Sequence, residues 1–240
     1  MEEVRNRLIV ALDVATMAEV RQLVEELGDA VSYYKVGMQL FYGVGMECLD
    51  YLRQQGKDVF LDLKMHDIPN TVAQGAASLT RLGAAMINVQ ASGGTAMMRA
   101  AAETVAETAR KYNLPRPRLI AVTVLTSMDE NEWATLRNAA SIPDQVVHLA
   151  QMAKEAGLDG VVASPQEAKL IREACGREFA IVTPGVRPRG AALNDQSRVA
   201  TPADALKAGA HYLVVGRPIT AAKDPRAAAL AILEEMRNAE

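Results

Sequence analysis

Cysteine, aromatic side chains, long apolar runs and any surplus of charge are all scarce in this sequence, and each scarcity removes a class of function. Only Cys48 and Cys175 occur, far apart and in helix-like surroundings. No disulfide framework or thiolate metal site can be drawn from them, and reduced, buried thiols in a cytoplasmic protein are expected. Three phenylalanines and one tryptophan offer no stacking platform for nucleic-acid bases. Lys and Arg number 26 against 29 Asp and Glu, a formal charge of −3 that gives no general attraction to nucleic acid or an anionic membrane. The apolar run 8–12 follows an acidic start and stops at Asp13, too short and wrongly flanked for a signal peptide. Nothing approaches the roughly 18 apolar residues of a spanning helix. His66, His148 and His211 lack metal-ligand spacing and no carboxylate-rich cluster accompanies them, so no metal site is expected; a structural role suits His66 beside Asp67.

What the sequence does hold is regular punctuation. Gly28, Gly56, Gly83, Gly157, Gly176 and Gly209 each stand just before a short, continuously apolar run. Glycine past a helix end supplies a left-handed cap, and continuously apolar runs suit strands buried on both faces. Helix starts follow the strands: Thr16-Met17-Ala18-Glu19 and Ser164-Pro165-Gln166-Glu167 read as capping boxes, and Thr201-Pro202 and Asp224-Pro225 as a cap followed by proline. The strand candidates are 7–12, 32–37, 59–63, 85–89, 119–125, 160–163, 179–182 and 212–215. Strict strand–helix alternation implies a parallel sheet, and eight units in 240 residues imply one (β/α)8 barrel domain over 1–240. A short extra helix is expected within 129–140, with Trp133 packing it down.

Barrel active sites lie at the carboxyl ends of the strands. Those ends carry Asp13, Lys35, the Asp62-Leu63-Lys64 triplet followed by Asp67, Thr126-Ser127, Pro184-Gly185-Val186-Arg187, and Gly216-Arg217. Asp62 and Lys64, two residues apart on a strand, should point to the same side. A charged pair among Phe60, Leu61 and Leu63 is costly unless compensated or functional, and stability alone does not call for five charges at one rim. After strands seven and eight, where barrels commonly bind phosphate, glycine opens the backbone to an anion and arginine offers a matching planar fork. The segment of about 187–200, with Gln196, reads as a lid able to close over a bound phosphate.

The run Asp62-Leu63-Lys64-Met65-His66-Asp67-Ile68-Pro69-Asn70-Thr71 resembles the signature of the orotidine 5′-phosphate decarboxylase family in its bacterial form. The likeness extends over the whole chain, through Ala11-Leu12-Asp13, Lys35-Val36-Gly37, Leu125-Thr126-Ser127, Pro184-Gly185-Val186-Arg187-Pro188, Gln196 and Val215-Gly216-Arg217-Pro218. The D-x-K-x-x-D core belongs to a wider superfamily; its extension with the phosphate loops is specific. The resemblance implies a cofactor-free lyase, usually a homodimer, converting orotidine 5′-phosphate to UMP and carbon dioxide in de novo pyrimidine synthesis. Lys64 would be the proton donor, Asp62 would face the substrate carboxylate, and Lys35 and Asp67 would complete the charge network, Asp67 in the partner's site. Asp13 would bind the ribose, and Thr126 and Ser127 the pyrimidine. Gln196 would bridge base and phosphate, and Arg187, Gly216 and Arg217 would hold the phosphate. Ile68, Thr71 and Pro184 complete the implied substrate-binding set. Gln90 stands where many relatives have histidine.

Loss of carbon dioxide from such a ring leaves a localised carbanion, which a preorganised ammonium can stabilise and then protonate. Flanking carboxylates favour the charged lysine this requires. Two other readings are a metal-dependent sugar-phosphate decarboxylase or synthase of the same superfamily, and a non-catalytic barrel that binds a nucleotide phosphate.

Overall fold

The structure, a computed structural model, describes residues 2–188 and 200–239. Eight short strands close into a parallel barrel: β1 (Leu8–Leu12), β2 (Tyr33–Gly37), β3 (Asp58–Met65), β4 (Met86–Gln90), β5 (Arg118–Val122), β6 (Gly160–Val162), β7 (Ala180–Thr183) and β8 (Tyr212–Val215). Each pairs with the next in sequence, and β1 pairs with β8. This is the expected (β/α)8 barrel. Most strand residues are apolar because both faces are covered, one by the barrel interior and one by the helices.

Alternation along each strand sorts these two faces. Ile9, Ala11, Tyr33, Phe60, Met86, Ile120, Val182 and Val214 form the packed interior, whereas Val10, Leu12, Tyr34, Val36, Leu61 and Ile87 pack outward against the helices. Two residues beyond Ala11, Tyr33, Phe60 and Met86, the inward positions are Asp13, Lys35, Asp62 and Asn88. The barrel is therefore filled with hydrocarbon up to one level and lined with polar groups at the next.

All six of the punctuating glycines have positive φ, from 52° at Gly28 to 109° at Gly209. Thr16 and Glu19 form the reciprocal capping box, and the side chains of Thr201 and Asp224 cap the helices Pro202–Lys207 and Pro225–Arg237. The extra helix occupies Glu130–Thr135; buried Trp133 anchors it and donates from Nε1 to the Ala140 carbonyl at 2.8 Å. Two local expectations need correction. Ser164 does not open a capping box: residues 165–167 form a turn in which the Gln166 N–H donates to Ser164 Oγ at 3.2 Å, and the helix begins at Ala168 with no side-chain cap. Ser164 and Glu167 are both buried in that turn. The fifth strand stops at Val122, short of residue 125. Its neighbour β6 ends at Val162, whose carbonyl accepts from the Thr123 hydroxyl at 2.8 Å, leaving no ladder to continue.

Candidate active site at the barrel mouth

β3 supplies the centre of the site. Its pairing with β4 shifts register between Leu61 and Met65, and within that bulge Lys64 adopts φ 51°. A non-glycine residue there is strained, and such bulges often re-aim a side chain. Lys64 Nζ reaches Asp62 Oδ1 at 2.6 Å. The other Asp62 oxygen lies 3.5 Å from Lys35 Nζ, which also donates to Asp13 Oδ1 at 3.0 Å. Charges thus alternate Asp13, Lys35, Asp62, Lys64. The Asp62 side chain is 12 % exposed and that of Asp13 61 %, so the chain of charges runs from the interior towards solvent.

Burial works to raise the Asp62 pKa. Lys35 and Lys64 beside it, with hydrogen bonds from Lys64 and Asn88, outweigh burial and hold the carboxyl below its ordinary range. Asp62 is an anion prepared by its surroundings.

A cavity of about 220 Å³ opens over this network. Lys35, Asp62 and Lys64 line it, together with Thr126, Ser127 and Pro184. Val122, Val124 and Leu125 complete an apolar wall. A flat polar ring can therefore be held between hydrocarbon and two hydroxyl-bearing residues, with an ammonium at its edge.

The seventh and eighth strand ends supply the second charged element. Arg187 is only 8 % exposed, and its Nε is buried without a hydrogen-bond partner among the described residues. Burial, and then repulsion from Arg217, lower the Arg187 pKa. Two guanidiniums that disfavour each other in a partly dry place form a site suited to an anion. Gly185, at φ 75°, turns the chain before Arg187. A Cβ placed on Gly216 would lie 3.6 Å from Asp13 Oδ2, so this loop adjoins the charge network.

The other expected residues are less tightly assembled. Asp67 is exposed and accepts the Ile68 N–H at 2.7 Å; among the described residues it makes no ion pair with Lys64. Ile68, 67 % exposed, and Thr71 lie on the same exposed segment, outside the cavity lining. Gln196 and most of the expected lid lie outside the described residues. Gln90, the departure from many relatives, ends β4 half-buried.

Sequence reasoning assigned no role to two residues that shape the centre. Asn88, fully buried, joins the Lys64 backbone to Asp62; its signal was a polar residue at an inward position between the apolar Ile87 and Val89. Gly37 leaves room for the ammonium, since a Cβ there would fall 2.9 Å from Lys35 Nζ.

Fold and site define a (β/α)8 barrel that carries an alternating Asp–Lys network at its mouth and a neighbouring pair of arginines, Arg187 and Arg217, after its last two strands. The sequence profile of the Orotidine 5′-phosphate decarboxylase / HUMPS family matches residues 6–232, and the chain belongs to that family. It is 52 % identical over 233 residues to an orotidine 5′-phosphate decarboxylase of Moorella thermoacetica, covering 97 % of this chain and 92 % of the relative. A Geobacter metallireducens protein of the same name is 50 % identical over 236 residues, covering 98 % of each chain. The crystal structure of orotidine 5′-phosphate decarboxylase from Lactobacillus acidophilus superimposes with a TM-score of 0.84 at 42 % identity, covering 95 % of this chain and 98 % of that one.

Proposed function

We propose that this protein decarboxylates orotidine 5′-phosphate to UMP and carbon dioxide, without a cofactor, as a step of de novo pyrimidine nucleotide synthesis. The observation that carries this reading is the Lys64 ammonium, 2.6 Å from the Asp62 carboxylate, on the wall of a cavity sized for a base.

The C6–carboxylate bond of the substrate breaks with its electron pair left on C6, in an orbital that the ring cannot delocalise. Lys64 stabilises that pair with its positive charge, then transfers a proton from Nζ to C6 and regains one from solvent. Asp62 faces the departing carboxylate, and Lys35 and Asp13 extend the network, Asp13 towards the ribose. Thr126 and Ser127 hydrogen-bond the pyrimidine beside Pro184. Arg187, Gly216 and Arg217 hold the phosphate. Enzymes lower barriers by roughly 8–23 kcal/mol, more than one lysine supplies. Phosphate binding, remote from C6, contributes energy that holds the reacting groups in place. The lid, with Gln196, belongs to this reading.

The active form is a homodimer in which Asp67, with Ile68 and Thr71, completes the partner's site. Two observations support it. Among the described residues Asp67 stays out of its own chain's ion-pair network, and Met38, Tyr42, Met46 and Ile68 are each large apolar side chains left exposed by the single chain. Among the described residues no helix is long and apolar enough to cross a membrane. A cytoplasmic setting is part of the same reading, supported by two buried, unpaired thiols.

The test is to incubate purified protein with orotidine 5′-phosphate and excess chelator and follow the loss of substrate absorbance. Turnover at an undiminished rate is expected. Turnover that disappears on chelation points to the metal-dependent reading, and UMP binding without any turnover points to a non-catalytic barrel.

A further inference from the structure

Asn88 bridges two members of the charge network without lining the cavity. Its Oδ1 accepts the Lys64 backbone N–H at 2.8 Å, and its Nδ2 donates to Asp62 Oδ1 at 2.7 Å. The partners fix the orientation of the amide, since a backbone N–H needs the oxygen and a carboxylate needs the NH2. Both bonds lie where the structure has a problem to solve. The β3–β4 register shifts between Leu61 and Met65, which takes Lys64 out of the regular ladder, and Lys64 holds a left-handed backbone that its side chain disfavours. The Asn88 oxygen replaces the missing strand partner. Meanwhile Asp62 Oδ1 receives both Lys64 Nζ and Asn88 Nδ2, leaving Oδ2 for Lys35.

Resting on the decarboxylase reading above, we infer that Asn88 is a positioning residue for the reaction: one buried amide fixes both the backbone that aims the Lys64 ammonium and the rotation of the Asp62 carboxylate. A misplacement of about 1 Å in such a group costs on the order of 10²-fold in rate, while substrate binding through phosphate and base, made by other residues, persists.

The test uses Asn88→Leu and Asn88→Asp in the full chain, with kcat and KM for orotidine 5′-phosphate from pH 5 to pH 8 and UMP binding as the readout of an intact site. Asn88→Leu keeps the shape and removes both bonds. A kcat about 10²-fold lower, with UMP affinity within about threefold of wild type, is expected. Asn88→Asp is the sharper probe. When protonated, its carboxyl offers the same acceptor and donor as the amide; when ionised, it sets a second negative charge against Asp62. Its kcat relative to wild type should therefore rise at least about tenfold from pH 8 to pH 5, a change that a purely structural residue would not produce.

Two active variants within about threefold of wild-type kcat overturn the inference, as does an Asn88→Asp loss that is the same at every pH. Loss of UMP binding by both variants at all pH values also overturns it, since Asn88 would then hold the fold and not the charges. If Asn88→Leu alone loses UMP binding, the pH profile of Asn88→Asp decides. A wild-type chain that leaves orotidine 5′-phosphate intact refutes the decarboxylase reading, and this inference with it.

Discussion

Lys64 Nζ lies 2.6 Å from Asp62 Oδ1, although the Lys64 backbone itself, at φ 51°, has left strand geometry. The ammonium is thus delivered by a strained bulge that the surrounding structure maintains. Under the proposed mechanism, replacing Lys64 by alanine removes both the charge that stabilises the ring anion and the proton that quenches it. The expected fall in kcat is at least about 10⁴-fold, with UMP binding retained, because general-acid and electrostatic contributions disappear together. Steady-state assays at high enzyme concentration measure it, and near-normal turnover would remove Lys64 from the mechanism.

Arg217 stands at the start of the short helix Arg217–Thr220, beside buried Arg187. Arg217→Ala should fold normally, since the side chain is exposed, and should lower kcat/KM for orotidine 5′-phosphate about 10²-fold. The same variant should lose little towards orotidine, which lacks the phosphate. Equal losses on both substrates would place the phosphate elsewhere.

Asp67 tests the dimer. Asp67→Ala and Lys64→Ala should each be inactive alone. Mixed and allowed to exchange subunits, they should recover activity, because a heterodimer holds one site with both native residues. Random pairing restores about a quarter of wild-type activity when each partner contributes across a twofold axis. No recovery after verified exchange would place Asp67 in its own chain's site.

A fourth prediction concerns stability. His211 Nδ1 accepts from Arg172 at 2.8 Å and from the Ile181 N–H at 3.2 Å, which requires a bare Nδ1. Burial, and then Arg172 and Arg7, lower its pKa from 6.5 to about 4. The unfolded chain therefore takes up a proton below about pH 6.5 that the folded chain refuses until about pH 4. Stability from neutral His211 is complete above that window and is lost as pH falls through it. The side chain is partly exposed, so solvent screening reduces the effect to about 1 kcal/mol at pH 5. His211→Asn, whose Oδ1 can accept the same bonds without titrating, should lose less stability than wild type between pH 7.5 and pH 5 in urea unfolding. Parallel losses would show that His211 does not couple to folding.

Much of this architecture can be read from the chain directly, because its determinants are local. Gly28 and Gly209 take positive φ where helices end, Thr16 and Glu19 cap each other three residues apart, and continuously apolar runs become doubly covered strands. The charged strand ends could be foreseen too, since barrel geometry brings carboxyl ends together whatever the residues between them. The errors came where context overrode local pattern. Ser164 and Glu167 have the spacing of a capping box but are buried in a turn, and the fifth strand lost its final residues because its neighbour β6 is short.

The order of strands and the positions of their charged ends were determined by the sequence alone, through periodicity and capping that depend on residues a few positions apart. Tertiary structure alone decided the register shift that turns Lys64 towards Asp62, the buried amide of Asn88 that spans them, and the wall of Val122, Val124 and Leu125 across the cavity. These depend on residues at least 24 positions apart in the chain, where pairing geometry and packing, rather than local preference, set the free energy.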